Sequence, residues 1–201
     1  MTFKKPDSSY WNAKLAVYLH DPFDKALMIQ RHEARALKLR EAFGVEADEP
    51  SNWKKADALA AGFERGTLPG HDADENSSGS IDFVKSPVLT HPVSAEGRLD
   101  VDLSGVPSAD AVTDAVCAEV RSLLGDKAGK GIGAAFFGDH EGLSRLRFLY
   151  AHLLLRFKLA EDNVGGLGAL WHRLPADTRF PDHSVWQHNA LASAFYSTME
   201  M

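Results

Sequence analysis

Imidazole and carboxylate side chains that meet in space can hold a metal ion, and four positions of this sequence offer them in a telling pattern. His20 and Asp21 are adjacent at the end of an apolar run and are locked there by Pro22. His32 and His188 each fall on the apolar stripe of a predicted helix. A polar ring turned toward a core costs stability unless it finds a partner. One such histidine is ordinarily a satisfied core residue; two of them beside a His–Asp pair favour ligation. Imidazole and carboxylate together suit manganese, iron, nickel, cobalt or zinc better than magnesium alone. An ion held with open positions lowers the pKa of bound water and polarises a phosphoryl oxygen. The residues themselves thus point to a metal-dependent hydrolase of phosphate esters. Of the nine histidines, His71, His91, His140, His152 and His172 sit in loops or beside aromatic and basic neighbours and read as ordinary surface or core residues.

The elements that must position these groups are mostly helical. A first helix is expected over residues 9–20, with Trp11, Leu15, Tyr18 and Leu19 on one side, and Pro22 forces a turn after it. A second, over 29–43, carries the stripe Ile29, His32, Ala36, Leu39, Phe43 and stops at Gly44, a residue suited to a left-handed cap. A third starts after Pro50–Ser51 and runs to about Arg65, with Trp53, Ala56, Ala60 and Phe63 as its stripe. Residues 66–80 are rich in Gly, Ser and Asp and read as a surface loop, and the alternation in 81–105 predicts one small β-ribbon. Helices resume over 108–124 and 143–159, separated by a Gly-rich loop without a phosphate-binding motif. A short helix lies near Trp171. Ser184 with Gln187 forms a capping box that opens the last helix, setting His188 in its first turn on a face with Leu191, Ala192 and Phe195.

The totals narrow the function classes. A chain of 201 residues, 44% hydrophobic and 25% charged, has the balance of a globular protein with one sizeable core. No apolar run approaches the roughly 18 residues that span a bilayer, and the first residues lack a secretory pattern, so no membrane association is expected. The single cysteine, Cys117, excludes an internal disulfide, fits a reducing cytoplasm, and reads as a buried structural thiol. A net charge of −6 argues against a surface that grips nucleic acid unaided. It leaves a nuclease open, because a bound metal supplies local positive charge and a partner subunit can supply more.

The words around the candidate residues are more specific than their spacing. KLAVYLHDPFDKAL followed by RHEARAL resembles the opening of the HD domain in the large subunit of type III CRISPR effectors, the Cmr-type branch, where HDPPDK and GHE are expected. KKADALAAGFER is similar to that family's alanine-rich ADxxAS helix, and LPADTRFPDHSVWQHNALASAF to its stretch of PADTR, PDHS and WxH. The blocks occur in order from one end of the chain to the other, and the middle third matches diffusely. The resemblance implies a mainly α fold, a permuted HD-type helical bundle with a small β-ribbon insertion. It would be a single domain over 1–201, with loop and ribbon inserted at 66–105.

The same resemblance implies roles. His20 and Asp21 would be the signature pair, catalytic and metal-binding; His188 the usual first histidine; Asp57 the final aspartate, unless it is a solvated helix carboxylate. His32 would stand near a second metal position, and His183 would be a further ligand. Lys25 and Asp24 either contact phosphate, orient a ligand, or form a surface salt bridge. Asp177 and Arg179 either pin the irregular loop or bind substrate. Phe23 replaces a common proline, Arg31 a common glycine, and Gly62 and Phe63 soften the match near Asp57. The expected activity is cleavage of single-stranded DNA with one or two divalent transition ions (manganese, nickel, cobalt or zinc), beside other subunits of a type III effector and its guide RNA. The alternative is a catalytically weak structural module that caps the effector. The family's palm domains carry GGDD, which is absent here, so the chain is expected to be an N-terminal domain or a short relative without nucleotide cyclisation.

Overall fold

The computed structural model describes residues 6–45, 50–64, 83–91, 94–124, 140–176 and 183–200. Asp7 opens α1 (Ser8–Tyr18) by accepting the Tyr10 N–H at 3.0 Å. The helix buries its end more than a face: Leu15, Ala16, Val17, Tyr18 and then Leu19 are all buried. The chain leaves helical geometry there, two residues before the expected end, and a short 3₁₀ turn (Lys25–Leu27) carries it toward α2 (His32–Ala42).

The start of α2 departs from the sequence expectation. Arg31 takes a left-handed conformation (φ 62°), so the helix begins at His32 and Ile29 is left 39% exposed outside it. His32 itself is half-buried at the helix edge, whereas Ala36, Leu39 and Phe43 are buried as predicted. The end of α2 follows expectation. Gly44 (φ 68°) donates to Glu41 O at 2.9 Å and Val45 N to Arg40 O at 3.0 Å, the paired bonds of a Schellman motif.

Next come α3 (Trp53–Glu64) and an antiparallel ribbon of β1 (Val88–His91) and β2 (Ser94–Asp100), with Val88 opposite Asp100 and a register shift at Thr90/His91. After α4 (Ala109–Leu124), α5 (His140–Leu149) widens into a π turn (Tyr150–Leu154) before α6 (Leu155–Glu161), where one continuous helix was expected. Two 3₁₀ turns (Val164–Gly166 and Gly168–His172) lead to α7 (Val185–Glu200). The fold is therefore mainly α, a bundle with one small two-stranded sheet.

Helix α2 packs on α4, α1 on α5 and α7, and α3 on α7. The main core is aromatic near the head of α7: Trp171 and Trp186 are buried, the Trp186 indole donates to Trp171 O, and Phe23 stacks on Trp186 at 3.7 Å. A second, smaller core joins Val17, Ala56, Ala60, Ala192 and Tyr196. Its alanines let α3 and α7 approach closely. That approach matters because Asp57 follows Ala56, and His188 precedes Ala192 by one turn.

Candidate metal centre

Three elements deliver side chains to one point. The turn that follows α1 carries His20 and Asp21, α3 carries Asp57, and the first turn of α7 carries His188. The α7 start is fixed by the expected capping box: Ser184 N–H donates to Gln187 Oε1 at 2.9 Å and Gln187 N–H to Ser184 Oγ at 3.3 Å. The two Nε2 atoms of His20 and His188 stand 3.1 Å apart, and Asp57 Oδ1 lies 3.2 Å and 3.1 Å from them. Asp21 Oδ2 is 3.7 Å from each imidazole nitrogen. His20, Asp21 and His188 each present a ligand atom within 4.8 Å of the others and could hold a metal ion.

The donor chemistry fits such an ion. His20 Nδ1 contacts Val17 O at 2.7 Å, a bond that needs the ring proton on Nδ1 and so turns the Nε2 lone pair toward the cluster in the neutral ring. His32 is held the same way, with Nδ1 at 2.8 Å from Ile29 O. Lone pairs of two imidazoles and two carboxylates facing one another repel unless protons or a cation lie between them. Donors bound about 2.1 Å from one ion at right-angled to tetrahedral geometry are about 3.0–3.4 Å apart. The His20, His188 and Asp57 separations fall in that range, and Asp21 lies slightly beyond it.

Electrostatics favour the charged carboxylates. Burial alone would raise the Asp57 carboxyl, but when the two rings are protonated their hydrogen bonds and charge, from His188 and His20, hold it far below the usual carboxylate range. Burial likewise opposes ionisation of Asp21, and the charges of His20, Lys25 and His188 with a Lys25 hydrogen bond outweigh it. Asn189, fully buried next to His188, donates its amide to Asp21 O at 2.9 Å and so ties the His–Asp pair to α7. That support was missed in the sequence, where only its place beside His188 marks it.

The other predicted residues distribute around this point. His32 Nε2 lies 3.8 Å from Asp21 Oδ1, so it borders the cluster. Lys25 Nζ binds Asp21 Oδ2 at 2.6 Å, one of the alternatives left open for it. Asp24 is corrected: it is neither a phosphate contact nor a surface group but a buried partner of Arg35 and Thr113. His183 precedes the capping box, and its carbonyl accepts from Ala176 N at 2.9 Å in the bridge between Pro175 and Ser184. Asp177, Arg179 and His71 lie outside the described residues, and nothing is described of the Phe63 side chain. His152 stacks on Phe148 and His172 packs near Phe157, as ordinary histidines. Cys117 is buried, its thiol pushed up to about 11 by burial.

No protein-family model matches the chain. In an alignment 207 positions long that covers 90% of the chain, it is 30% identical to the CRISPR system Cmr subunit Cmr2 of Pyrococcus furiosus. By sequence it is related to a type III CRISPR large subunit. The chain spans about a quarter of that Cmr2, 24% of its length. Among the described residues, no helix is long and apolar enough to cross a membrane.

Proposed function

We propose that this chain is an HD-type, metal-dependent nuclease unit of a type III CRISPR effector, acting on single-stranded DNA within the cytoplasm. The observation that carries the reading is the meeting of His20 Nε2, His188 Nε2 and Asp57 Oδ1 at 3.1–3.2 Å, with Asp21 beside them. His20, Asp21, Asp57 and His188 would hold the first ion, and His32 would serve a second position near Asp21. Manganese, nickel, cobalt or zinc suits this donor set. A divalent ion there supplies Lewis-acid polarisation of a phosphodiester and lowers the pKa of water.

The protein's own groups do the positioning. Asp57 is 37% exposed at its side chain, against 8% or less for His20, Asp21 and His188, so the centre opens on the α3 side. Lys25, partly exposed and bound to Asp21, would orient that carboxylate and supply positive charge for a phosphate. The relation to Cmr2 supports the CRISPR setting, with guide RNA and further subunits as partners. The rival reading, a structural module, draws on the same lysine. Its ammonium at 2.6 Å already gives Asp21 a cation, so the cluster has one internal neutralising charge.

Cleavage of single-stranded DNA by the purified chain separates the two. With manganese, nickel or cobalt present, nicking is expected, duplex DNA should remain largely intact, and chelation should stop the reaction. Activity that persists in the His20→Ala, Asp21→Ala double variant belongs to another site and removes the proposal. No activity with any of these ions favours the structural module.

A further inference from the structure

The rim of the centre holds an aromatic side chain that the reading above leaves unused. Trp53 lies one helical turn before Asp57 on α3, so the two share a face. Its ring is half-buried, packs against the small alanine core, and stands 5.9 Å from the His20 ring at 50°. Lys54 Nζ sits 5.7 Å over the same indole. A chain of net charge −6 thus sets an indole and a lysine beside its histidine–aspartate cluster, where Lys25 already binds Asp21. An aromatic plane flanked by cations is how proteins hold single-stranded nucleic acid without reading its sequence: bases stack, and lysines meet the phosphates.

We propose that Trp53 is a base-stacking platform that seats one nucleobase of a single strand beside the His20–His188 cluster, with Lys54 on the flanking phosphate. The inference rests on the nuclease reading for its purpose but concerns binding, which can be measured apart from cleavage. A packed duplex offers no free base face, so the platform also gives a physical reason for preferring single strands. Trp53 touches bases, not the reacting phosphate, and acts as a binding and positioning residue.

The test uses the full chain in chelator, titrated with an oligothymidylate and with an abasic strand of equal length. The expected results are quenching of tryptophan fluorescence by the base-bearing strand and affinity for it about tenfold above that for the abasic one, the gain of stacking one base. Trp53→Leu should bind both strands with the weaker affinity and lose the quench. Trp53→Phe, which keeps a ring in the same packing, should keep most of the preference for bases, and this guards against a folding defect in the leucine variant. Equal affinity of the wild type for the two strands overturns the proposal, as does an undiminished preference for bases in a folded Trp53→Leu. Cleavage by the wild type with manganese is scored separately on bis(nitrophenyl) phosphate and on the oligothymidylate. A chain that binds bases through Trp53 yet cleaves neither diester keeps the platform and sinks the nuclease reading.

Discussion

Asp21 and Asp24 lie three residues apart in one loop, are equally sequestered at 3% and 2% exposure, and meet opposite surroundings. Asp24 Oδ1 takes Arg35 Nε at 3.2 Å, and Oδ2 takes the Thr113 hydroxyl at 2.6 Å. The rest of the Arg35 guanidinium donates to Gln30 O at 3.0 Å and to Met28 O. Donors and acceptors there match, and the cluster is closed. Around Asp21 the balance fails: two imidazole nitrogens and a second carboxylate converge with Lys25 as the main cation. A surplus of acceptors pointing inward suits a bound cation, whereas a matched set suits a structural pin. Burial alone distinguishes nothing here; the stoichiometry of partners does.

Breaking the closed cluster should have the largest effect. Arg35→Met leaves the Asp24 carboxylate buried without its cation and should cost about 3–5 kcal/mol in urea unfolding. Asp24→Leu combined with Arg35→Met should recover most of that loss, because apolar groups of similar volume replace a buried pair at little cost. A loss below about 1 kcal/mol in the single variant would mean that the pair is not sequestered. Acid titration sharpens the contrast. Burial raises the Asp24 carboxyl more than Thr113 and Arg35 lower it, so its folded pKa exceeds its unfolded one. Its contribution is then full below about pH 3.9 and is lost as pH rises through the folded value. For Asp21, which is depressed, the sign is reversed. Asp24→Asn should accordingly remove a segment of the stability–pH curve that falls with rising pH.

The open cluster should respond to metal where the closed one does not. An ion bound only by the folded chain stabilises it by roughly 2.7 kcal/mol at 100 times its dissociation constant. For a chain of this size that is a rise in Tm on the order of 5–10 °C. His188→Ala should abolish the rise, and His172→Ala, in the 3₁₀ turn beside Phe157, should keep it. Equal metal stabilisation in the two variants would place the ions elsewhere.

The two clusters also differ in how far the sequence exposes them. His20 and Asp21 are visible because a polar pair interrupts an apolar run, and His188 because a capping box fixes where its helix begins. Asp57 carries no such local mark; its place follows from the resemblance around KKADALAAGFER, and in space from the alanines that bring α3 to α7. The Asp24 pin is invisible because Thr113 is 89 residues away, and no local pattern announces such a partner. Lys25 at i+4 from Asp21 is within reach by spacing alone, but spacing cannot say whether it serves the carboxylate or a substrate. Ile29 was misplaced for a backbone reason. The apolar period continues through it, while the helix is interrupted by a left-handed residue whose side chain gives no warning.

That residue yields the smallest predicted effect and the cleanest sign. Arg31 holds φ 62° immediately before α2, a conformation that costs a non-glycine residue on the order of 1 kcal/mol or more. Glycine, which the resemblance leads one to expect at this position, adopts it freely. Arg31→Gly forfeits an ion pair with Asp110 at 3.6 Å, but the two side chains are 71% and 40% exposed, and such pairs contribute little. Glycine also loosens the unfolded chain, which subtracts part of the gain. The net expectation is stabilisation by about 0.5–1 kcal/mol in urea unfolding, with the metal-induced shift unchanged because His32 keeps its bond to Ile29 O. Gly44→Ala supplies the opposite sign. The position is also left-handed, and a Cβ there would stand 3.1 Å from the Arg147 guanidinium, so alanine should destabilise. Were Arg31→Gly to destabilise as well, the ion pair or the arginine stem would outweigh backbone strain, and the left-handed entry to α2 would be a stable feature of this chain in its own right.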